Sequence, residues 1–262
     1  MNRYKMTRAI SKSLAPLVEQ LELEQPRVIT RAELARMARA RELSPWTLAM
    51  ANRLKAEGWL LSLKTKGVWE FAPGARAGAI SFGDPYIELR ATLKRRPGFP
   101  AQLAYDSAAW LLGFMQRPPE REVISIPDRI HIPAALAGFR VVHQRPALPL
   151  AEQDGLPRWQ LESLIVLMAA RPDLFRDWPN VSQWLKSAAL RADESRIGAE
   201  LALRPMPVRI RTAYMLEQGN NIRLARELMA VAKTNSLTYF GPRRRGGRYD
   251  VRYNLYDAVL RS

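Results

Sequence analysis

Residues 28–72, VITRAELARMARARELSPWTLAMANRLKAEGWLLSLKTKGVWEFA, carry two helix starts, a helix stop and a hairpin in the order of a winged helix-turn-helix. Thr30 is a good N-cap and Glu33 follows three residues later, a capping box that opens a helix through about Ala40. Its inward face is Leu34, Met37 and Ala38, and Arg41-Glu42-Leu43 makes a short turn. Ser44-Pro45 opens the next helix, because Ser caps and Pro suits the first helical position. That helix runs to about Glu57, where Gly58 supplies a left-handed stop. Its expected inward stripe is Leu48, Ala51 and Leu54, with Lys55 flanking, which turns Trp46, Thr47, Met50 and Arg53 outward. Trp59 to Leu63 and Val68 to Phe71 read as strands around the basic turn Lys64-Thr65-Lys66-Gly67. Upstream, Ile10, Leu14, Leu17, Val18 and Leu21 form one helical stripe with Pro16 as a local complication.

Such a module places the N-terminal half of its second helix in a DNA major groove. Ser44, Thr47 and Arg53 are the residues able to hydrogen-bond to bases or phosphates, with Lys55 beside them, and Trp46 reads either as a contact to a sugar or thymine methyl or as a core residue. Lys64 and Lys66 at the wing tip suit phosphates, which position a domain without reading sequence. Tri-helical winged domains also serve as protein–protein modules, so the fold alone does not establish DNA binding.

Charge points the same way. The chain has 41 Lys and Arg against 25 Asp and Glu in 262 residues, a net charge of +16, which favours a polyanionic partner. With no cysteine, a disulfide framework, a thiol nucleophile and a Cys-ligated zinc site are excluded. His131 and His143 are the only histidines and nothing in their spacing makes either a base or a metal ligand, so no cofactor or metal is expected. The N-terminus lacks the apolar centre of a signal peptide, and the most apolar run, Leu161 to Ala170, is too short to cross a bilayer and contains Glu162. The economical expectation is a cytoplasmic protein with no membrane partner.

The small-residue stretch from Ala72 to Gly78 reads as a linker, giving an N-terminal domain of residues 1–75 and a larger mixed, helix-rich α+β domain of residues 76–262. In the latter, a helix from Asp84 or Pro85 to about Arg95 and a buried helix over Gln102 to Met115 are expected. Strands follow over Arg121 to Ile126 and Gly138 to His143, then a Pro-rich connection over Gln144 to Leu156. Helices follow over Trp159 to Ala170, Trp178 to Leu190, Glu194 to Leu203, Val208 to Glu217 and Ile222 to Ala232. At the end, Leu237 to Phe240 and Tyr249 to Tyr253 read as extended and Tyr256 to Leu260 as a short helix. Between the extended pieces, Arg243, Arg244, Arg245 and Arg248 concentrate charge on a Gly-rich turn, interleaved with Tyr239, Tyr249 and Tyr253. That surface reads as a nucleic-acid contact, a protein interface or a solvated hairpin with framework tyrosines. No Walker A loop, dinucleotide fingerprint or metalloprotease helix is present, and the acid pairs Asp173/Asp177 and Asp193/Glu194 lie at helix starts, where the helix dipole accounts for them.

The hairpin ending at Gly67-Val68-Trp69, the stretch Arg211-Thr212-Ala213-Tyr214-Met215-Leu216-Glu217-Gln218-Gly219, and Thr238-Tyr239-Phe240-Gly241-Pro242 with its Arg cluster and Tyr249-Asp250 carry a further signal. In these the chain resembles the AbiEi-type antitoxins of the abortive-infection class of bacterial type IV toxin–antitoxin systems. The resemblance implies a non-enzymatic protein with two tasks. Its N-terminal module would bind inverted repeats of double-stranded DNA in its own promoter and repress it. Its larger domain would oppose a nucleotidyltransferase-like toxin without forming a stable complex with it. The competing readings are a nucleic-acid-processing enzyme targeted by a winged module, which would need clustered carboxylates for Mg²⁺, and a replication or partition protein of a mobile element.

Overall fold

The computed structural model describes residues 10–43, 47–74, 83–232, 236–243 and 246–260. The chain is mixed α+β and divides into two compact units, Met1–Phe99 with His131–Gly138, and Pro100–Ile130 with Phe139–Ser262. Among the described residues no helix is long and apolar enough to cross a membrane.

In the first unit, α1 (Ala15–Glu24) starts one residue before Pro16 instead of running through it. The ring then sits in the first turn, where its missing N–H leaves no helical bond unmade. Leu17, Val18 and Leu21 are its buried stripe. Strand β1 (Val28–Thr30) precedes α2 (Arg31–Ala40). α3 (Thr47–Ala56) and the hairpin of β2 (Leu60–Ser62) and β3 (Val68–Phe71) follow. The sheet order is β1-β3-β2, antiparallel throughout, so β1 adds a third strand to the expected two. The element order is that of a winged helix-turn-helix.

Strand alternation explains where this unit stops. Ile29, Trp69 and Phe71 face a core with Leu17, Leu34, Met37, Ala51 and Leu54, whereas Val28 and Val68 face the other way. That second apolar face is covered by α4 (Ile87–Arg95) through Ile87 and Ala91. The compact unit therefore reaches Phe99, beyond the boundary expected at residue 75, because a sheet apolar on both faces needs a layer on each.

The second unit is built on a five-stranded mixed sheet. Its strands are β4 (Gln102–Leu103), β5 (Val123–Ser125), β6 (Arg140–Val142), β7 (Ala151–Gln153) and β8 (Leu156–Arg158), in the order β6-β5-β4-β8-β7. The buried helix expected over Gln102 to Met115 is thus divided. Gln102 and Leu103 are the central strand, and only α5 (Tyr105–Leu111) is helical, beginning at Tyr105 with φ 44°. Sheet pairing to β5 and β8 satisfies the backbone that a helix would otherwise have satisfied internally. The supposed Pro-rich connection contains the β7–β8 hairpin, turned by Asp154 and Gly155 at φ 52° and 70°.

α5 packs on β5, and after it come α6 (Leu161–Ala170), α7 (Trp178–Arg191), α8 (Glu194–Leu201), α9 (Met206–Gln218) and α10 (Ile222–Ala230), with α6 between α5, α8 and α9 and with α9 against α7 and α10. α6 is buried from Leu161 to Ala169 and forms the centre of the core, as its apolar circumference requires. Arg211 closes its C-terminal end, donating to the carbonyls of Ala169 at 2.7 Å and Ala170 at 3.2 Å. Gly219 ends α9 in close contact with α7: a Cβ there would lie 2.4 Å from Ala189 Cβ and 2.8 Å from Leu185 O.

Three strands close the chain: β9 (Thr238–Phe240), β10 (Arg248–Asp250) and β11 (Leu255–Asp257), in the order β10-β11-β9. The terminal helix expected over Tyr256 to Leu260 is absent, and the extended run expected to reach Tyr253 ends at Asp250. Instead β11 pairs with a strand on each side, and the Asp257 carboxylate accepts the N–H groups of Val259 and Leu260 and the hydroxyl of Tyr214. A side chain that satisfies the following backbone competes directly with helix formation.

Candidate nucleic-acid interface

The first unit presents the interface candidates. Thr30 caps α2 as expected: its hydroxyl accepts the Glu33 N–H at 3.2 Å and the Glu33 carboxylate accepts the Thr30 N–H at 3.0 Å. The same carboxylate meets Lys94 of α4 at 2.7 Å. Burial works to raise the Glu33 pKa, but the Lys94 ammonium and the Thr30 donors outweigh it and hold the carboxyl below its ordinary value. Arg36, Arg39 and Arg41 are exposed along and just beyond α2.

α3 is rotated relative to the expected stripe. Met50, Ala51 and Leu54 are buried, while Leu48 is 53% exposed. Met50 and Leu54 are four residues apart and share a face as well as Leu48 and Ala51 do, so packing decided between two stripes that helical periodicity left equivalent. The outward face therefore comprises Leu48, Ala49, Asn52, Arg53 and Ala56, with Lys55 half-buried. Asn52 was not anticipated. Its amide can both donate and accept, the combination that pairs with an adenine edge in the major groove. The signal lay in its spacing from the buried positions, once Met50 is placed inward.

Arg53 is partly engaged within the protein, its Nη1 donating to Ser13 Oγ at 3.2 Å and its Nε 3.3 Å from Glu57. It thereby ties α3 to the segment before α1. Ser44 and Trp46 lie outside the described residues, as does the side chain of Thr47, although Thr47 begins α3.

The hairpin turn is fastened from below by α4. Glu88 accepts the backbone N–H of Lys64 at 2.6 Å, the N–H of Thr65 at 3.2 Å and the Thr65 hydroxyl at 3.0 Å. Arg95 donates to the Lys66 carbonyl. Thr65 is consequently buried, while Lys64 and Lys66 on either side are exposed. Gly67 adopts φ 77°, which a side chain would resist. Two lysines are thus presented outward from a turn whose backbone is anchored. Arg95 and Arg96, at the adjacent end of α4, are also exposed.

In the second unit the tail residues divide. Arg243 is exposed with its guanidinium 4.9 Å from the Tyr239 ring centre, and Arg248 is exposed on the edge strand β10. Arg244 and Arg245 lie outside the described residues. Tyr249 is exposed, its hydroxyl donating to Asn254 Oδ1 at 3.0 Å. Tyr253 is a framework residue, buried edge-on to Tyr214 at 5.4 Å. His143 Nδ1 lies 3.1 Å from the Ile126 carbonyl, a structural contact. Among the described residues no group of three or more His, Asp and Glu gathers at metal-binding spacing.

Residues 101–218 match the family profile described as the AbiEi antitoxin C-terminal domain, which supports the resemblance read from the sequence. The match spans β4 to α9, in the second unit except for His131–Gly138, which belong to the first. The chain is also similar to the crystal structure of the RV2827C protein from Mycobacterium tuberculosis. The two share 26% identity at a TM-score of 0.81, over 98% of this chain and 95% of that one. Comparison with curated proteins finds no match.

Proposed function

We propose that this protein is the antitoxin of a bacterial type IV toxin–antitoxin pair and that it represses its own operon by binding promoter DNA. The match over residues 101–218 supports the antitoxin role. The observation that carries the DNA-binding role is the pairing of the outward face of α3 with an anchored hairpin turn exposing Lys64 and Lys66. In this reading α3 enters the major groove, Asn52 reads base edges, and the two lysines contact phosphates. Arg53 contributes through its remaining donors while steadying the helix. The larger unit opposes a nucleotidyltransferase-like toxin, without itself catalysing a reaction and without a stable complex. Arg243 and Arg248 provide a second basic surface, and the protein acts in the cytoplasm.

The experiment has two arms. Promoter DNA from the protein's own operon is titrated with wild type and with Lys64→Glu/Lys66→Glu, which should lose binding. Separately, co-expression with the neighbouring nucleotidyltransferase-like toxin should restore growth, and Lys64→Glu/Lys66→Glu should retain that rescue. Wild type that binds promoter and unrelated DNA alike would contradict the repressor role, and failure to restore growth would contradict the antitoxin role.

A further inference from the structure

A cleft of about 520 Å³ lies wholly within the second unit. Its polar wall includes Arg117, Arg121, Arg140 and Arg176, and its apolar wall is Met115, Pro118 and Pro119, backed by Phe114 and Trp184, which are only 7% and 5% exposed. The two rings stack at 5.2 Å with 22° between their planes.

Arg121 and Arg140 are oriented by carbonyls, and Arg140 is in addition paired with Asp106. Arg140 donates to the Leu174 carbonyl at 2.8 Å and Arg121 to the Phe139 carbonyl at 2.8 Å. A carbonyl positions a guanidinium while leaving its full charge in place. Asp106 meets Arg140 at 2.5 Å with one oxygen and accepts the Arg176 N–H at 3.2 Å with the other. Asp177 accepts from Asn180 at 2.6 Å, and Glu120 is exposed. The side chains of Arg117 and Arg176 make no ion pair among the described residues. Burial depresses the Arg140 pKa against the attraction of Asp106, with Arg176 and Arg121 adding in the same direction. Trp184 Nε1 is buried without a hydrogen-bond partner among the described residues. Pro118 and Pro119 stiffen the connecting wall.

We propose that this cleft binds a nucleoside triphosphate, with Arg117 and Arg176 on the phosphates and the wall of Met115, Pro118 and Pro119 against the nucleoside. The volume is that of a small-molecule site, and planar guanidiniums fork onto phosphate oxygens. The apolar wall distinguishes this ligand from inorganic polyphosphate, which offers it nothing to cover.

The test is calorimetric titration of the full-length protein with ATP, GTP, CTP and UTP, and with tripolyphosphate and a 5′-phosphorylated tetranucleotide as alternatives. At least one triphosphate should bind saturably, at one site, at least tenfold more tightly than tripolyphosphate. Arg117→Ala/Arg176→Ala should weaken it at least tenfold with the thermal midpoint kept. Lys186→Ala/Arg226→Ala, which removes the same charge elsewhere, should leave it unchanged. Promoter binding by the Arg117→Ala/Arg176→Ala variant, measured alongside, should match wild type, which separates this site from the DNA interface. Absence of saturable binding overturns the proposal. So do equal losses in the two double variants, tripolyphosphate binding as well as every nucleotide, or preference for the tetranucleotide.

Discussion

The carboxylate of Glu88 in α4 accepts the backbone N–H of Lys64 at 2.6 Å, so a helix beyond the β2–β3 hairpin holds the turn that presents its basic tip. Hydrogen bonds to an ionised acceptor are the stronger kind. The same carboxylate also takes both donors of Thr65, and Thr65 is buried beneath the turn as a result.

Removing that anchor should loosen the tip before it unfolds the module. Glu88→Ala is expected to cost about 1–2 kcal/mol of stability, given bonds to a charged but partly exposed acceptor. Native-state hydrogen exchange should show Lys64 and Thr65 amides losing protection while those of α2 keep theirs. Unchanged exchange at both amides would contradict the anchoring role.

The capping box predicts a specific pH dependence. Because Glu33 is held below its ordinary pKa of 4.5, its stabilising contribution is fully present above that value and is lost as pH falls through the lower folded-state pKa. Acid unfolding of wild type should therefore include a component that Glu33→Gln lacks. Thr30→Ala should cost about 1 kcal/mol at neutral pH through loss of the cap. Chemical denaturation between neutral pH and pH 3 measures both.

Asp106 and Arg140 form a buried pair, with side chains 5% and 13% exposed. Burial raises the Asp106 pKa even against the attraction of Arg140 and the backbone donors, so desolvation outweighs them. Asp106→Asn should cost about 3–5 kcal/mol by leaving Arg140 charged and uncompensated, and replacing both residues should cost less than the sum of the single changes. A double-mutant cycle measured by urea unfolding decides this; additive losses would show that the pair is not coupled.

Gly219 should tolerate no side chain. The Cβ of Gly219→Ala would meet Ala189 Cβ and the Leu185 carbonyl well inside contact distance, so the change should cost about 1–3 kcal/mol by overpacking. Adding Ala189→Gly removes one of the two clashes and should recover part of the loss, as a shift in thermal midpoint. Full stability of Gly219→Ala alone would contradict the close approach.

The sequence was most legible where a local signal and the tertiary environment agreed. The Thr30–Glu33 box, the buried α6 and the strands around Ile124 and Val141 appear where capping and apolar patterning place them. It was least legible where long-range pairing overrode local pattern. Gln102-Leu103 looks helical by composition but is the central strand, and Leu255 to Asp257 becomes a strand because β9 and β10 flank it. The Asp154-Gly155 hairpin was announced locally by a dipeptide suited to positive φ, yet the surrounding prolines obscured it. Within the proposed interface, Lys64 and Lys66 were visible as a basic turn, whereas Asn52 depended on which of two stripes on α3 faces inward. The anchoring role of Glu88 was not visible, because its partners, two backbone N–H groups and the Thr65 hydroxyl, lie 23 and 24 residues away.

The central claim is that α3 and the anchored hairpin read promoter DNA, and fluorescence anisotropy of the operon promoter across a salt series tests it most directly. Wild type should prefer promoter over scrambled DNA, with the logarithm of affinity falling linearly in the logarithm of salt concentration. Lys64→Ala/Lys66→Ala should reduce that slope by about 2 and weaken both DNAs alike, since two phosphate contacts are lost. Asn52→Ala should keep the slope and lose about 1–3 kcal/mol of the preference for the promoter. A wild-type protein with no promoter preference, or variants whose slopes and preferences equal wild type, would contradict the account.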